Sequence, residues 1–304
     1  NYAVYASYQS FPNSTEQALY TIHHAGGETT IAVNQTMGGG TWIYLGNFKF
    51  TAHEQAHERI VLTNQSNKSG KIITADAIKI GGGMGNIARS PLESPYPIEA
   101  ETSGYPRFTE AARYWLQWAG IPDSIYSKSA FRNDYQDDIY ARPQWVNYLK
   151  EQTHIPIDMA FAFHSDAGTT PDDSIIGTLG IYMSKSNDGI YTNRKSREIA
   201  RDLTDMIQTQ ILSDVRKVYN PQWSRRGMWN QSYIEARIPD VPTMLLELLS
   251  HQNFADMRYG LDPRFRFLIC RAIYKGMLRY ICFQNKQEPI VQPLPPDRLY
   301  TELV

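Results

Sequence analysis

The chain has 304 residues, of which 42% are hydrophobic and 20% charged, with a formal net charge of −1. That length carries two domains or one large one, and the apolar share supplies a sizeable core. A near-neutral chain without a basic run excludes nucleic-acid binding by bulk electrostatics, and no apolar stretch reaches the roughly 18 residues that a membrane span needs.

The opening residues, NYAVYASYQS, are not a signal peptide. They read as a strand entered in mid-domain, with the expectation of further sequence upstream. Ala3 to Gln9 and Ala18 to His24 alternate, and ETTIAVNQ, TWIYLGNFKF, RIVLTNQ and KIITADAIKI follow. These runs are short, rich in Val, Ile, Thr and Tyr, and separated by glycine-rich or polar turns. The spacing predicts an all-β sandwich over residues 1–88. Prolines 91, 95, 97 and 106 mark residues 89–108 as a linker.

From Thr109 the period changes. TEAARYWLQWAG offers Thr109 as a helix N-cap and Gly120 as a stop. NDYQDDIYARPQWVNYLKEQ predicts a polar loop leading into a second helix, and Asp158 to Phe163 a strand ending at His164. TLGIYMS is a further strand. Ser196 to Tyr219 has the i, i+4, i+7 apolar spacing of an amphipathic helix. The run Met244 to Leu249 predicts a buried strand, and Arg264 to Phe283 a last helix ahead of a proline-rich tail over 286–304. Alternating strands and helices over 109–285 predict a layered α/β domain. Cys270 and Cys282 lie too far apart along that last helix, about 18 Å, to form a bridge, and read as small core residues.

Glu247 interrupts the apolar run at its centre. A buried carboxylate must be paired, hydrogen-bonded, near a metal or protonated. His164 ends a second apolar strand, followed by Ser165, Asp166 and Gly168, and strand ends are where α/β sheets place reactive groups. HEQAH at 53–57 fits H-E-x-x-H, but it lies between two β-like runs with no third ligand on a following helix, so a polar loop is the better reading. His23 and His24 point to opposite faces of one strand. His154 has no assigned role, and His251 reads as a surface residue, four residues past Glu247 and within range of the same cleft. Asp134, Asp137 and Asp138 lack calcium-loop spacing and read as a solvated loop or helix cap. Glu110 favours the start of a helix electrostatically, and is also the kind of carboxylate that reaches a metal.

From about Glu110 to Ile281 the sequence resembles the zinc-dependent N-acetylmuramoyl-L-alanine amidases. The resemblance rests on FAFHSDAG, on DDIYARPQWVN before it, on RRGMWNQSYIEARIPDVPTMLLELLSHQNFADM, and on AIYKGMLRYI at the end. It implies zinc held by His164 and provisionally Glu110, with Glu247 as the catalytic acid–base. It also implies hydrolysis of an amide in bacterial peptidoglycan and a periplasmic, cell-surface or secreted location. Residues 1–88 resemble the golvesin C-terminal-like, xanthan-lyase-type accessory domain, through YTIHHAGGETTIAVNQTMGGGTWIYLGNFKF and ITADAIKIGGGMG. This implies glycan binding. The chain departs from the amidases in lacking their Gly-His-Gly zinc loop; GGGMG at 81–85 resembles that loop without its histidine. Either an upstream segment completes the site or the site is degenerate. The alternatives are therefore a noncatalytic glycan-binding protein on an amidase scaffold, or a polysaccharide lyase.

Overall fold

The computed structural model describes residues 1–51, 57–66, 68–81, 107–130 and 132–293. Two compact units divide between Asp158 and Met159.

The N-terminal unit opens with β1 (Tyr2–Ser7), β2 (Ala18–His24), β3 (Gly27–Val33), β4 (Ile43–Phe48), β5 (Arg59–Leu62) and β6 (Ala77–Ile80). They form two antiparallel sheets, in the orders β4-β1-β6 and β3-β2-β5. Alternation explains the core. Val4 and Ala6 of β1 and Ala18, Tyr20 and Ile22 of β2 are buried and join one cluster with Val33, Leu45 and Phe48. His23 meets Glu28 at 3.4 Å, and His24 bonds Thr29 on the neighbouring strand. His53 and Glu54 of HEQAH, Gly82 to Gly85 of GGGMG, most of the 89–108 segment and the tail from residue 294 lie outside the described residues; His57 sits exposed in a turn.

Three helices follow in the same unit: α1 (Ala112–Trp118), α2 (Asp123–Tyr126) and α3 (Asp134–Glu151). The expected N-cap is displaced. Thr109 closes a 3-10 turn, Arg107–Thr109, and the residue ahead of α1 is Ala111. Gly120 does follow the helix, at φ +77°, a left-handed turn that favours glycine. The expected polar loop before the second helix is helical from Asp134, capped by Asn133, whose side chain accepts from Gln136 N. Asp137 and Asp138 are not solvated as a cluster. Asp137 is fully buried and accepts from Ser129 N at 2.6 Å, Ser129 Oγ at 2.9 Å and Arg113 Nη1 at 3.3 Å. Asp138 accepts from Arg113 N at 3.1 Å and pairs with Arg142. Lys79 of β6 lies under the rings of Trp118, Trp42 and Tyr5, at 3.1, 4.4 and 4.8 Å from their centroids. Burial pushes its amine down to about 8, and the three ring faces, each attracting the cation, act against that shift.

The C-terminal unit contains β7 (Ala160–Asp166), β8 (Thr178–Tyr182), α4 (Ile199–Val218), β9 (Arg225–Asn230), α5 (Ile234–Arg237), β10 (Thr243–Ser250), α6 (Phe254–Gly260) and α7 (Pro263–Gln284). Its sheet is mixed, in the order β7-β10-β8-β9, with β10 parallel to β7 and antiparallel to β8. One face carries Met244, Leu246 and Leu248, which pack in one core with Leu203, Ile207 and Ile211 of α4 and Phe265, Ile269 and Ile273 of α7. Deleting a side chain such as Ile207 from this core costs about 2–5 kcal/mol. The layers approach closely at glycines. A Cβ on Gly180 of β8 would lie 2.5 Å from Thr204 of α4, and one on Gly276 of α7 would lie 2.6 Å from the Ile207 backbone. Cys282 is buried in α7 but Cys270 is exposed, so only one of the two is a core residue. No described helix is long and apolar enough to cross a membrane.

Candidate functional site

The other face of the sheet carries the polar groups. Parallel pairing puts Glu247 beside His164 in register, so both side chains leave the sheet on the same side. Leu245, Leu179, Ile181 and Ala162 form a small apolar cluster on that face, so these two polar groups stand among hydrocarbon. The strand β7 runs two residues further than its apolar pattern predicts, and His164 lies within it.

A third group joins them from α5. Glu235 Oε2 lies 2.9 Å from His164 Nε2, with side chains only 12% and 28% exposed respectively. An ionised carboxylate only accepts, so this geometry places the ring proton on Nε2. Glu247 is half-buried, and its Oε2 is buried without a hydrogen-bond partner among the described residues. Desolvation raises the Glu247 carboxyl above its ordinary range; His164 opposes the shift, and Asp166 adds to it.

At the mouth of the strands, Asp166 Oδ2 accepts from Arg226 Nη1 at 2.6 Å. Burial works to raise the Asp166 carboxyl, but the bonds from Arg226 and the Ala167 N–H outweigh it and hold the group below its usual range. Ser165 Oγ lies 3.1 Å from His251 Nδ1, which brings the exposed His251 to the same strand ends. Behind them, Asp256 is fully buried and accepts from Ser250 N at 2.8 Å and Ile176 N at 3.0 Å. These bonds tie α6 to the end of β10 and to the loop between β7 and β8.

Of the residues singled out in the sequence, His164 and Glu247 share this site. Glu110 belongs to the N-terminal unit, in the turn between the 3-10 turn and α1. Glu235 was not foreseen. Its segment, NQSYIEARIPD, shows no apolar period, and its one signal is a carboxylate close ahead of the strand bearing Glu247, a position it shares with Asp240. A catalytic zinc needs three protein ligands and one open position. Among the described residues no group of three His, Cys, Asp or Glu is placed to hold a metal, and His164 Nε2 is already engaged by Glu235. The described residues therefore do not by themselves fit the zinc that the sequence resemblance implies.

Residues 1–82 match the family described as the golvesin C-terminal domain. No curated protein matches the chain. Among solved structures, it is similar to an N-acetylmuramoyl-L-alanine amidase from Clostridium difficile 630, with 18% identity, 52% of this chain and 78% of that chain covered, and a TM-score of 0.35. An N-acetylmuramyl-L-alanine amidase from Mycobacterium smegmatis gives 17% identity, coverage of 60% and 79%, and a TM-score of 0.38. A xanthan lyase from Paenibacillus is 28% identical over 26% of this chain and 7% of that one, with a TM-score of 0.23.

Proposed function

We propose that the C-terminal unit is an amide hydrolase of the N-acetylmuramoyl-L-alanine amidase type, acting on bacterial peptidoglycan. The observation that carries this reading is Glu247, a carboxylate in an apolar strand with one buried oxygen that no described residue bonds. A carboxylate that holds helices together is given donors, as Asp137 is. An acid–base role needs the Glu247 oxygen free, and desolvation tunes its proton affinity toward neutrality. In this reading Glu247 takes the proton from the attacking water and delivers it to the leaving amine. His164, with its ring proton directed at Glu235, supplies a fixed polar wall beside the reacting carbonyl.

No step is assigned to zinc, because the described residues do not complete a ligand set. The two N-terminal sheets are read as a β-sandwich that holds the glycan, which fits the match of residues 1–82 to the golvesin family. A substrate in the cell wall places the protein outside the cytoplasm.

A second reading is favoured by the same incomplete ligand set: a glycan-binding protein on an amidase scaffold without turnover. Incubating the chain with purified peptidoglycan, with and without added zinc, separates the two. Release of free peptide that Glu247→Gln abolishes supports the hydrolase. Sedimentation with peptidoglycan but no release under either condition supports the binding protein.

A further inference from the structure

The contact between Glu235 and His164 depends on where α5 is held, and α5 is only four residues long, Ile234–Arg237. So short a helix has no stability of its own. Its exit meets Arg197, a fully buried cation immediately ahead of α4. Arg197 Nη2 donates to Arg237 O at 2.8 Å and to Pro239 O at 3.5 Å, while Nε donates to Met183 O at 3.3 Å. Arg237 is the last residue of α5, so the cation sits on the carboxyl end of that helix, where the helix dipole favours it. The guanidinium also lies 4.4 Å from the Tyr191 ring centroid. Asp240, just beyond, is bonded by both the N–H and the hydroxyl of Thr192.

Burying a guanidinium is costly, and burial holds Arg197 below its usual proton affinity. Nη1 gains no hydrogen bond with the described residues in return. Two of its three carbonyl partners lie two and four residues after Glu235. We propose that Arg197 is the positioning residue of this site, fixing the exit of α5 so that Glu235 meets His164. The proposal rests on the reading of His164, Glu235 and Glu247 as the working cluster. It goes further in giving that cluster a buried support on another segment of the chain.

The test uses the full chain with nitrogen-15-labelled histidine. The His164 ring N–H signal is identified by its loss in His164→Gln, and its exchange with solvent is measured. Glu235→Gln and Arg197→Lys should each raise that exchange at least tenfold, since lysine keeps the charge but not the fork. Trp223→Phe, which weakens the core on the opposite face of the sheet, should leave the signal as it is in the unaltered protein. If Arg197→Lys does not fold, Arg197→Gln decides by the same criterion. A folded Arg197 variant with unaltered His164 exchange overturns the proposal. So does failure of both variants to fold, which assigns Arg197 to the fold alone. The readout is a ring proton, so it stands apart from turnover: an inactive protein whose His164 signal depends on Arg197 sinks the hydrolase reading and keeps this one.

Discussion

Asp137 in the N-terminal unit and Glu247 in the C-terminal unit are both carboxylates drawn out of water, and they are treated in opposite ways. Asp137 receives a guanidinium N–H, a backbone N–H and a hydroxyl. Glu247 keeps a buried oxygen with no donor among the described residues. The first is the pattern of a carboxylate that holds helices together; the second leaves a proton-accepting position open. Asp256 sharpens the contrast, because burial raises its carboxyl as it does that of Glu247, yet two backbone N–H groups satisfy it. A raised proton affinity alone therefore does not mark a reactive group; at Glu247 it coincides with a buried oxygen that no described residue bonds and with His164 in register beside it.

The contrast can be broken by substitution, and the largest expected effect on stability falls on Asp137. Asp137→Asn removes the carboxylate charge from a buried ion pair with Arg113 and should cost about 3–5 kcal/mol in denaturant unfolding. A loss under about 1 kcal/mol would remove it as the structural half of the comparison. Asp256→Asn should cost about 1–3 kcal/mol, since one of two backbone donors loses a charged acceptor. Among folded molecules its rate of peptide release should stay within a few-fold of the unaltered protein. A rate collapse without unfolding would place Asp256 in the chemistry. Glu235→Gln should leave the melting temperature within a few degrees while slowing peptide release about tenfold or more, because the ring proton of His164 loses a charged acceptor.

The smallest effect concerns pH. The folded-state affinity of Glu247 is raised, so the native state binds more protons than the unfolded chain between the two pKa values. Stability contributed at this position is thus greatest at low pH and falls as pH rises above the ordinary glutamate range. Glu247→Gln should therefore match the unaltered protein near pH 4 and melt slightly higher at pH 7, as scanning calorimetry at the two pH values would show. A lower melting temperature at pH 7 would mean that Glu247 contributes a stabilising contact.

Much of this was legible in the residues. Strong alternation in β1 and β2, and the long apolar stripe of α4, identify themselves because burial on one face dictates their period. His164 and Glu247 stand out as polar interruptions in apolar strands. The rest depends on tertiary context. β9 and α5 are too short and too polar to show a period, so Glu235 was invisible as a partner of His164. Asp137 reads as solvated from its acidic neighbours, and only the arrival of Arg113, far along the chain, makes it a buried ion pair. Thr109 has the chemistry of a cap, but the 3-10 turn uses it first.

The most direct test of the central claim is a paired assay of Glu247→Gln and Asp137→Asn on purified peptidoglycan, with peptide release normalised to the folded fraction and zinc supplied throughout. General acid–base catalysis contributes about 10²–10⁴-fold. The account therefore predicts that Glu247→Gln lowers the rate at least a hundredfold while the folded fraction is unchanged, and that Asp137→Asn lowers the folded fraction while its normalised rate is retained. Turnover by Glu247→Gln at the rate of the unaltered protein would contradict it.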